Sequence, residues 1–197
     1  MCGRYWIDKL SEEELKKRFP AEDLFNDGQN IETSRDIRPS DTAAVIAGSG
    51  RNLELENVRW GFPVRNGKLL INARSESVFD RKMFRRGIRN SRAVVPAAGF
   101  YEWSPQKEIC RFRQPETPLM YLAALIDFFE GERRFVIITT KANESVRKIH
   151  DRMPLIIGRN QLEDWILDDS LTQRILTQDQ PALSRPGRDG YEQLSMF

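Results

Sequence analysis

Cysteine at position 2 is the residue of this chain whose chemistry depends most on where it stands. Once Met1 is removed, which a small second residue permits, Cys2 presents an α-amine and a thiol on adjacent carbons. The amine titrates near ~7.7–8.0 and the thiol near ~8.5, so each has a usable nucleophilic fraction at neutral pH. The amine condenses with an aldehyde to an imine, and the thiolate, already held beside it, closes a five-membered thiazolidine ring without a second encounter. A cysteine second in the chain is otherwise an accident of a frayed terminus, and position alone favours that plainer reading.

Three further side chains have matching chemistry. Glu102 sits among aromatics in Gly99-Phe100-Tyr101-Glu102-Trp103, a run that otherwise reads as buried strand. A desolvated carboxyl has its pKa raised into the range useful for proton transfer, although one so placed also seeks a salt bridge. His150, the chain's one histidine, has an ordinary pKa near neutrality, so it is either a helix-terminal polar residue or a proton shuttle. Asn72, in Ile71-Asn72-Ala73-Arg74-Ser75-Glu76, carries an amide that donates and accepts at once, or else serves a turn. Cys110 falls in an arginine-rich, loop-like stretch and reads as incidental.

The elements that position these groups must come from 197 residues, 40% of them hydrophobic, enough to fill one core. One domain is expected over 1–197, with an irregular tail from 177. Two cysteines and one histidine offer neither a disulfide framework nor a zinc site, so no metal or cofactor is expected. No apolar leader opens the sequence and no window approaches the ~20 apolar residues of a membrane span, so a cytoplasmic protein with no membrane partner is expected. The net charge of +2 gives no global pull on polyanions. Residues 57–92, however, hold ten basic residues against two acids, a net +8, which leaves −6 for the remainder. One anion-binding face accounts for that asymmetry, as does a set of solvated arginines.

Patterning places these groups on short strands and helices. Ser11 with Glu14 reads as a capping box, and Leu10 with Leu15 as its staple, for a helix to about Phe19. Thr42 to Ala47 and Leu53 to Trp60 form a hairpin, and Asn66-Gly67 a tight turn into Leu69-Leu70-Ile71. Ser77 opens a helix through Arg86, with Gly87 as its stop. Strands follow at 93–95, 100–103, 119–126, 135–139 and 155–157. Asn143 caps a helical turn ending near His150, and Asn160 with Glu163 opens a last helix. The class is α+β, a mainly antiparallel sheet or open barrel with short flanking helices.

Met-Cys-Gly-Arg at the start, Trp60-Gly61, Asn72 to Glu76, Gly99 to Trp103 and His150-Asp151-Arg152-Met153-Pro154 occur in an order that closely resembles the SRAP (SOS-response-associated peptidase) family. The resemblance runs from Cys2 to about Ile157 and implies the same fold, a single-stranded DNA partner containing abasic sites, and a monomer. It implies that Cys2 supplies the imine nitrogen and the sulfur, Asn72 orients Cys2 and the sugar, Glu102 is the acid or base beside the forming bond, and His150 shuttles protons. Arg74 and Arg152, flanking those motifs, are expected on phosphates, with Arg4 and Arg86 as further candidates. Trp60 and Trp103 either stack on bases or fill the core.

Two other classes compete. Glutamine amidotransferases with an N-terminal nucleophile also begin Met-Cys-Gly, but here Arg4-Tyr5 follows where a small apolar residue is usual. A non-covalent single-stranded DNA module would use the basic face and leave Cys2 inert. A proteolytic activity of Cys2, Glu102 and His150 that removes Met1 is compatible with crosslinking.

Overall fold

The computed structural model describes residues 2–19 and 34–185. Its strands are β1 (Tyr5–Asp8), β2 (Ser34–Ile37), β3 (Thr42–Ser49), β4 (Asn52–Trp60), β5 (Phe62–Pro63), β6 (Leu69–Leu70), β7 (Asn72–Arg74), β8 (Arg92–Ala97), β9 (Gly99–Trp103), β10 (Ile109–Phe112), β11 (Met120–Phe129), β12 (Glu132–Lys141), β13 (Arg152–Pro154) and β14 (Ile156–Ile157). Four short helices accompany them: α1 (Lys9–Arg18), α2 (Lys82–Asn90), α3 (Leu162–Leu167) and α4 (Thr172–Leu176). The class is α+β, as the patterning implies.

Strands β12, β4, β3, β8 and β11 hydrogen-bond in that order, and β11 pairs back to β12, so five strands close a ring without exposed edges. Every junction of the ring is antiparallel except β12–β4, which is parallel. β7 also runs parallel to β12, and β13 antiparallel to it. A second antiparallel sheet has the order β10-β9-β1-β2. Period-two alternation divides the core accordingly. Val45, Val58, Trp60, Leu122, Phe135 and Ile137 share one cluster with Tyr5, Phe100, Phe112, Cys2 and Cys110. The opposite faces of the same ring strands pack against the helices through Ile88, Trp165 and Ile175. Strands buried on both faces explain the unbroken apolar run in β11.

Several boundaries differ from the sequence expectation, each for a local reason. Tyr5–Asp8 is a strand, and α1 is capped by Asp8, whose Oδ1 accepts from the Ser11 N–H at 2.9 Å while Ser11 Oγ accepts from the Asp8 N–H at 2.8 Å. Leu10 is 64% exposed and staples nothing. α2 starts at Lys82 and not Ser77, because residues 75–77 form a separate 3-10 turn. Gly87 lies inside that helix and not at its end. A Cβ there would stand 3.1 Å from the Leu125 Cβ, so the glycine serves close approach to β11. Residues 109–112, read as loop, alternate exposed and buried as an edge strand does. Asn66 and Gly67 both have φ of 69° and form the expected tight turn between β5 and β6. The tail is irregular from 177, yet residues 183–185 are bound to the sheet: Ser184 exchanges backbone hydrogen bonds with Arg113 beside β10. Residues 186–197 lie outside the described residues.

Candidate active site

The second sheet delivers two of the four candidate residues to one place. Cys2 immediately precedes β1, and β1 pairs with β9, so that the Tyr101 N–H donates to the Arg4 carbonyl at 2.9 Å. Glu102 follows on β9. The Cys2 thiol is fully buried, and burial first, then the charge of Glu102, push its pKa far above the ordinary thiol range. It is therefore protonated at neutral pH in the chain as encoded. Asn72, at the start of β7, reaches across from the ring. Its Nδ2 donates to the Cys2 carbonyl at 3.0 Å, fixing the backbone of that residue.

Glu102 is buried, and desolvation raises its carboxyl pKa, an effect opposed by the charge of His150. The carboxyl is thus within electrostatic reach of both the thiol and the imidazole. His150 is partly buried. The Arg152 N–H donates to its Nδ1 at 3.0 Å, which places the proton of the neutral ring on Nε2. Asp151 Oδ1, 2.9 Å from the same Nδ1, stands ready for the charged form. Among the described residues, the buried Asn72 Oδ1 and Tyr5 hydroxyl have no hydrogen-bond partner, so each is available to a bound molecule.

The residues expected on DNA divide in the structure. Trp60 is completely buried, stacks at 5.9 Å on Phe135 and donates from Nε1 to the Ile71 carbonyl at 3.0 Å. It is core, and not a platform for bases. Arg152 is also buried, and its guanidinium is engaged by Glu76 at 2.7 and 2.9 Å and by the Thr139 carbonyl at 2.6 Å. Its side chain ties β7's continuation to β13 and its backbone N–H holds His150, so the buried guanidinium is committed to the fold rather than presented to a phosphate. Arg4 bonds Asp36 and lies 4.6 Å over the Tyr101 ring. Arg86 is exposed, 3.3 Å from Asp127, on a helix packed against β11. Arg74, by contrast, is exposed and has no ion-pair partner among the described residues, and Trp103, next to Glu102, is 38% exposed.

Sequence reasoning missed four neighbours. Cys110 lies directly opposite Glu102 in the β9–β10 register and therefore on the same face. Asp36 accepts from the Tyr101 hydroxyl at 2.8 Å as well as from Arg4. Burial alone would raise its carboxyl pKa, but those two bonds outweigh it and hold the group below the usual carboxylate range. Tyr5 is close enough for the Cys2 charge to act on its hydroxyl. Thr139 completes the Arg152 contacts. The alternation around Cys110 was the one readable signal among them. A cavity of about 700 Å³ lined by Glu14, Tyr121, Gln161 and Gln178 includes none of the four candidate residues.

A closed five-strand ring with a flanking sheet that carries a buried thiol, carboxyl and nearby imidazole defines a class of α+β proteins with an N-terminal cysteine site. Residues 1–187 match the family described as SOS response associated peptidase (SRAP), and the chain belongs to that family. It is 29% identical over 181 residues to the abasic site processing protein YoaM of Bacillus subtilis, covering 84% of this chain and 79% of that one. It is 31% identical to YoqW of the same organism, with 84% and 80% covered, and 26% identical to YedK of Escherichia coli, with 84% and 79% covered. A crystallised protein of Bacteroides thetaiotaomicron superposes with a TM-score of 0.73 at 23% identity over 89% of this chain and 84% of that chain. One from Bordetella bronchiseptica does so at 0.71 and 22%, over 93% and 98%. These two bear on the fold alone. Among the described residues no helix is long and apolar enough to cross a membrane.

Proposed function

We propose that this protein binds abasic sites in single-stranded DNA and, after removal of Met1, bonds covalently to them through Cys2 as a thiazolidine. The names of the curated relatives, abasic site processing proteins, support the substrate class. The observation that carries the chemistry is the placing of the Glu102 carboxyl within electrostatic reach of both the Cys2 thiol and His150, with Asn72 bonded to the Cys2 carbonyl.

The steps balance as one condensation. The ring-opened sugar aldehyde takes the Cys2 amine to give a carbinolamine. Glu102, whose carboxyl pKa is raised by burial, acts as the acid: it gives a proton to the departing hydroxyl, and water leaves with formation of the C=N bond as an iminium. The sulfur then adds to the iminium carbon, whose nitrogen keeps its one hydrogen, while the thiol proton passes to the Glu102 carboxylate and restores the acid, so the net change is loss of one water. A thiol held protonated is no obstacle, since its proton is what restores Glu102 in the same step. His150, with Nε2–H in its neutral form, would exchange protons during sugar ring opening and during reversal. Asn72 Oδ1 and the Tyr5 hydroxyl are available to the sugar hydroxyls. Arg74 and Trp103 are the expected contacts for the flanking phosphate and base. The family description also names a peptidase, and the same groups suit hydrolysis of the Met1–Cys2 bond as a maturation step.

The test is an oligonucleotide with one abasic site incubated with the purified protein and denatured in detergent. A species of combined mass is expected with the wild type and not with Cys2→Ala. An adduct that survives Cys2→Ala contradicts the role of the sulfur, and glutamine hydrolysis without any adduct supports the amidotransferase.

A further inference from the structure

Residues 178–185 form no helix and no strand of the sheets, yet they are bonded in turn to three parts of the molecule. Gln178 Nε2 donates to the Ile156 carbonyl at 3.0 Å, and the Ile156 N–H donates to Gln180 Oε1 at 2.7 Å, so two side-chain amides complete the outer edge of β14. The carbonyls of Gln180 and Pro181 accept from Asn143 Nδ2 at 3.2 and 2.8 Å, and the Leu183 N–H donates to Ser145 Oγ at 3.1 Å. Ser184 then pairs with Arg113, and Arg185 Nη2 donates to Cys110 Sγ at 3.0 Å. Cys110 is the residue opposite Glu102. One strap therefore touches the segment that leads to His150 and the strand that backs Glu102.

Asn143 is the junction on the histidine side. Its Oδ1 accepts from the Ser145 N–H at 3.1 Å and hydroxyl at 2.6 Å, and its carbonyl accepts from the N–H groups of Val146 and Arg147 at 3.1 and 2.9 Å. The turn so formed is continued by the His150 N–H donating to the Val146 carbonyl at 3.1 Å, and closed by the Ala142 N–H donating to Asp151 at 2.9 Å. Val146 and Leu183 are buried in the same cluster as Cys2. Side-chain amides that bridge two irregular segments fix a geometry that neither segment holds alone, because irregular backbone has no ladder of its own.

We infer that the strap of residues 178–185, acting through Asn143, sets the position of His150 relative to Glu102, and that Asn143 is a positioning residue for the proposed reaction. The inference rests on the reading of His150 and Glu102 as proton carriers. A residue that works only through His150 loses its effect once the imidazole is gone, which a double-mutant cycle measures.

The experiment follows crosslink formation on a single-stranded oligonucleotide with one abasic site, for the wild type, Asn143→Ala, His150→Ala and the double variant. At saturating DNA, Asn143→Ala is expected to be about tenfold slower, with the half-saturating DNA concentration unchanged. The double variant is expected to be no slower than His150→Ala. Ser145→Ala, which leaves Asn143 in place, gives a smaller loss with the same pattern and decides the matter if Asn143→Ala does not fold. A wild-type rate in Asn143→Ala, or losses that multiply in the double variant, overturns the assignment and leaves the crosslinking reading standing. Failure of the wild type to form any adduct removes the crosslinking reading, and this inference with it.

Discussion

Sulfur and nitrogen of Cys2 have separable duties in the proposed reaction, and single substitutions divide them. Cys2→Ser keeps the amine after processing and loses the ring-closing sulfur. Its adduct is expected to stop at the imine, so it survives denaturation only when borohydride is added; a stable adduct without reductant contradicts the division. Glu102 gives a pH prediction with a definite sign. Its carboxyl pKa is raised by burial, so the folded chain binds a proton more tightly than the unfolded chain between the ordinary carboxylate range and the raised value. Stability contributed by this group is therefore present at low pH and lost as pH rises through the raised pKa. Glu102→Gln removes that slope. Thermal melts between pH 4 and 8 should show the variant gaining on the wild type as pH rises, while its crosslinking rate falls on the order of 10²-fold, the usual scale for loss of an acid–base group. Melting curves whose difference does not change with pH would contradict the assignment. These residue types were legible because the chemistry is local to each side chain. The use of Arg152 and Trp60 was not, because their partners Glu76 and Phe135 lie far along the chain.

At the scale of elements, the join between β7's continuation and β13 is the feature on which the imidazole depends. The two charge-assisted bonds from Arg152 hold the Glu76 carboxyl below its usual range, so their contribution is present above the unfolded carboxylate pKa and is lost as pH falls through the depressed one. Glu76→Ala leaves a buried guanidinium with Thr139 alone. With Glu76 43% exposed and so partly screened by water, it is expected to cost about 1–2 kcal/mol, measured by urea unfolding at neutral pH; a loss indistinguishable from zero would show that the pair is not structural. Strands with β-branched residues, the β3–β4 hairpin and the Asn66-Gly67 turn were readable from local chemistry. The onset of α2 and the strand at 109–112 were not. A serine that resembles a cap was overruled by the 3-10 turn before the helix, and the alternation at 109–112, whose outward face carries Ile109 as well as Arg111, was too short to outweigh the loop reading.

For the whole molecule, ring closure decides what can reach DNA. Pairing β11 back to β12 buries one face of five strands inside the ring and presses the other against helices, which consigns Trp60 and Arg152 to the interior and leaves Arg74 and Trp103 outside. Membership of the family was legible from five short motifs. The parallel β12–β4 junction that closes the ring was not, since parallel pairing between strands so distant in sequence has no turn to announce it. The basic segment also reads differently once folded. Charges within it that are paired with Asp127 and Asp169, those of Arg86 and Arg92, add little to phosphate binding. Arg74→Ala is expected to reduce the slope of log affinity against log salt by about 0.7, one single-strand phosphate. Equilibrium binding of an intact oligonucleotide across a salt series measures this, and an unchanged slope would remove Arg74 from the interface.

The most direct measurement is the intact mass of the adduct between the processed chain and a single-stranded oligonucleotide bearing one abasic site, taken with and without borohydride. The account predicts the sum of the two masses less one water, with no hydrogens gained on reduction, because the carbon is already bonded to sulfur. An adduct that gains two hydrogens, or one that forms equally well in Cys2→Ser without reductant, would contradict it.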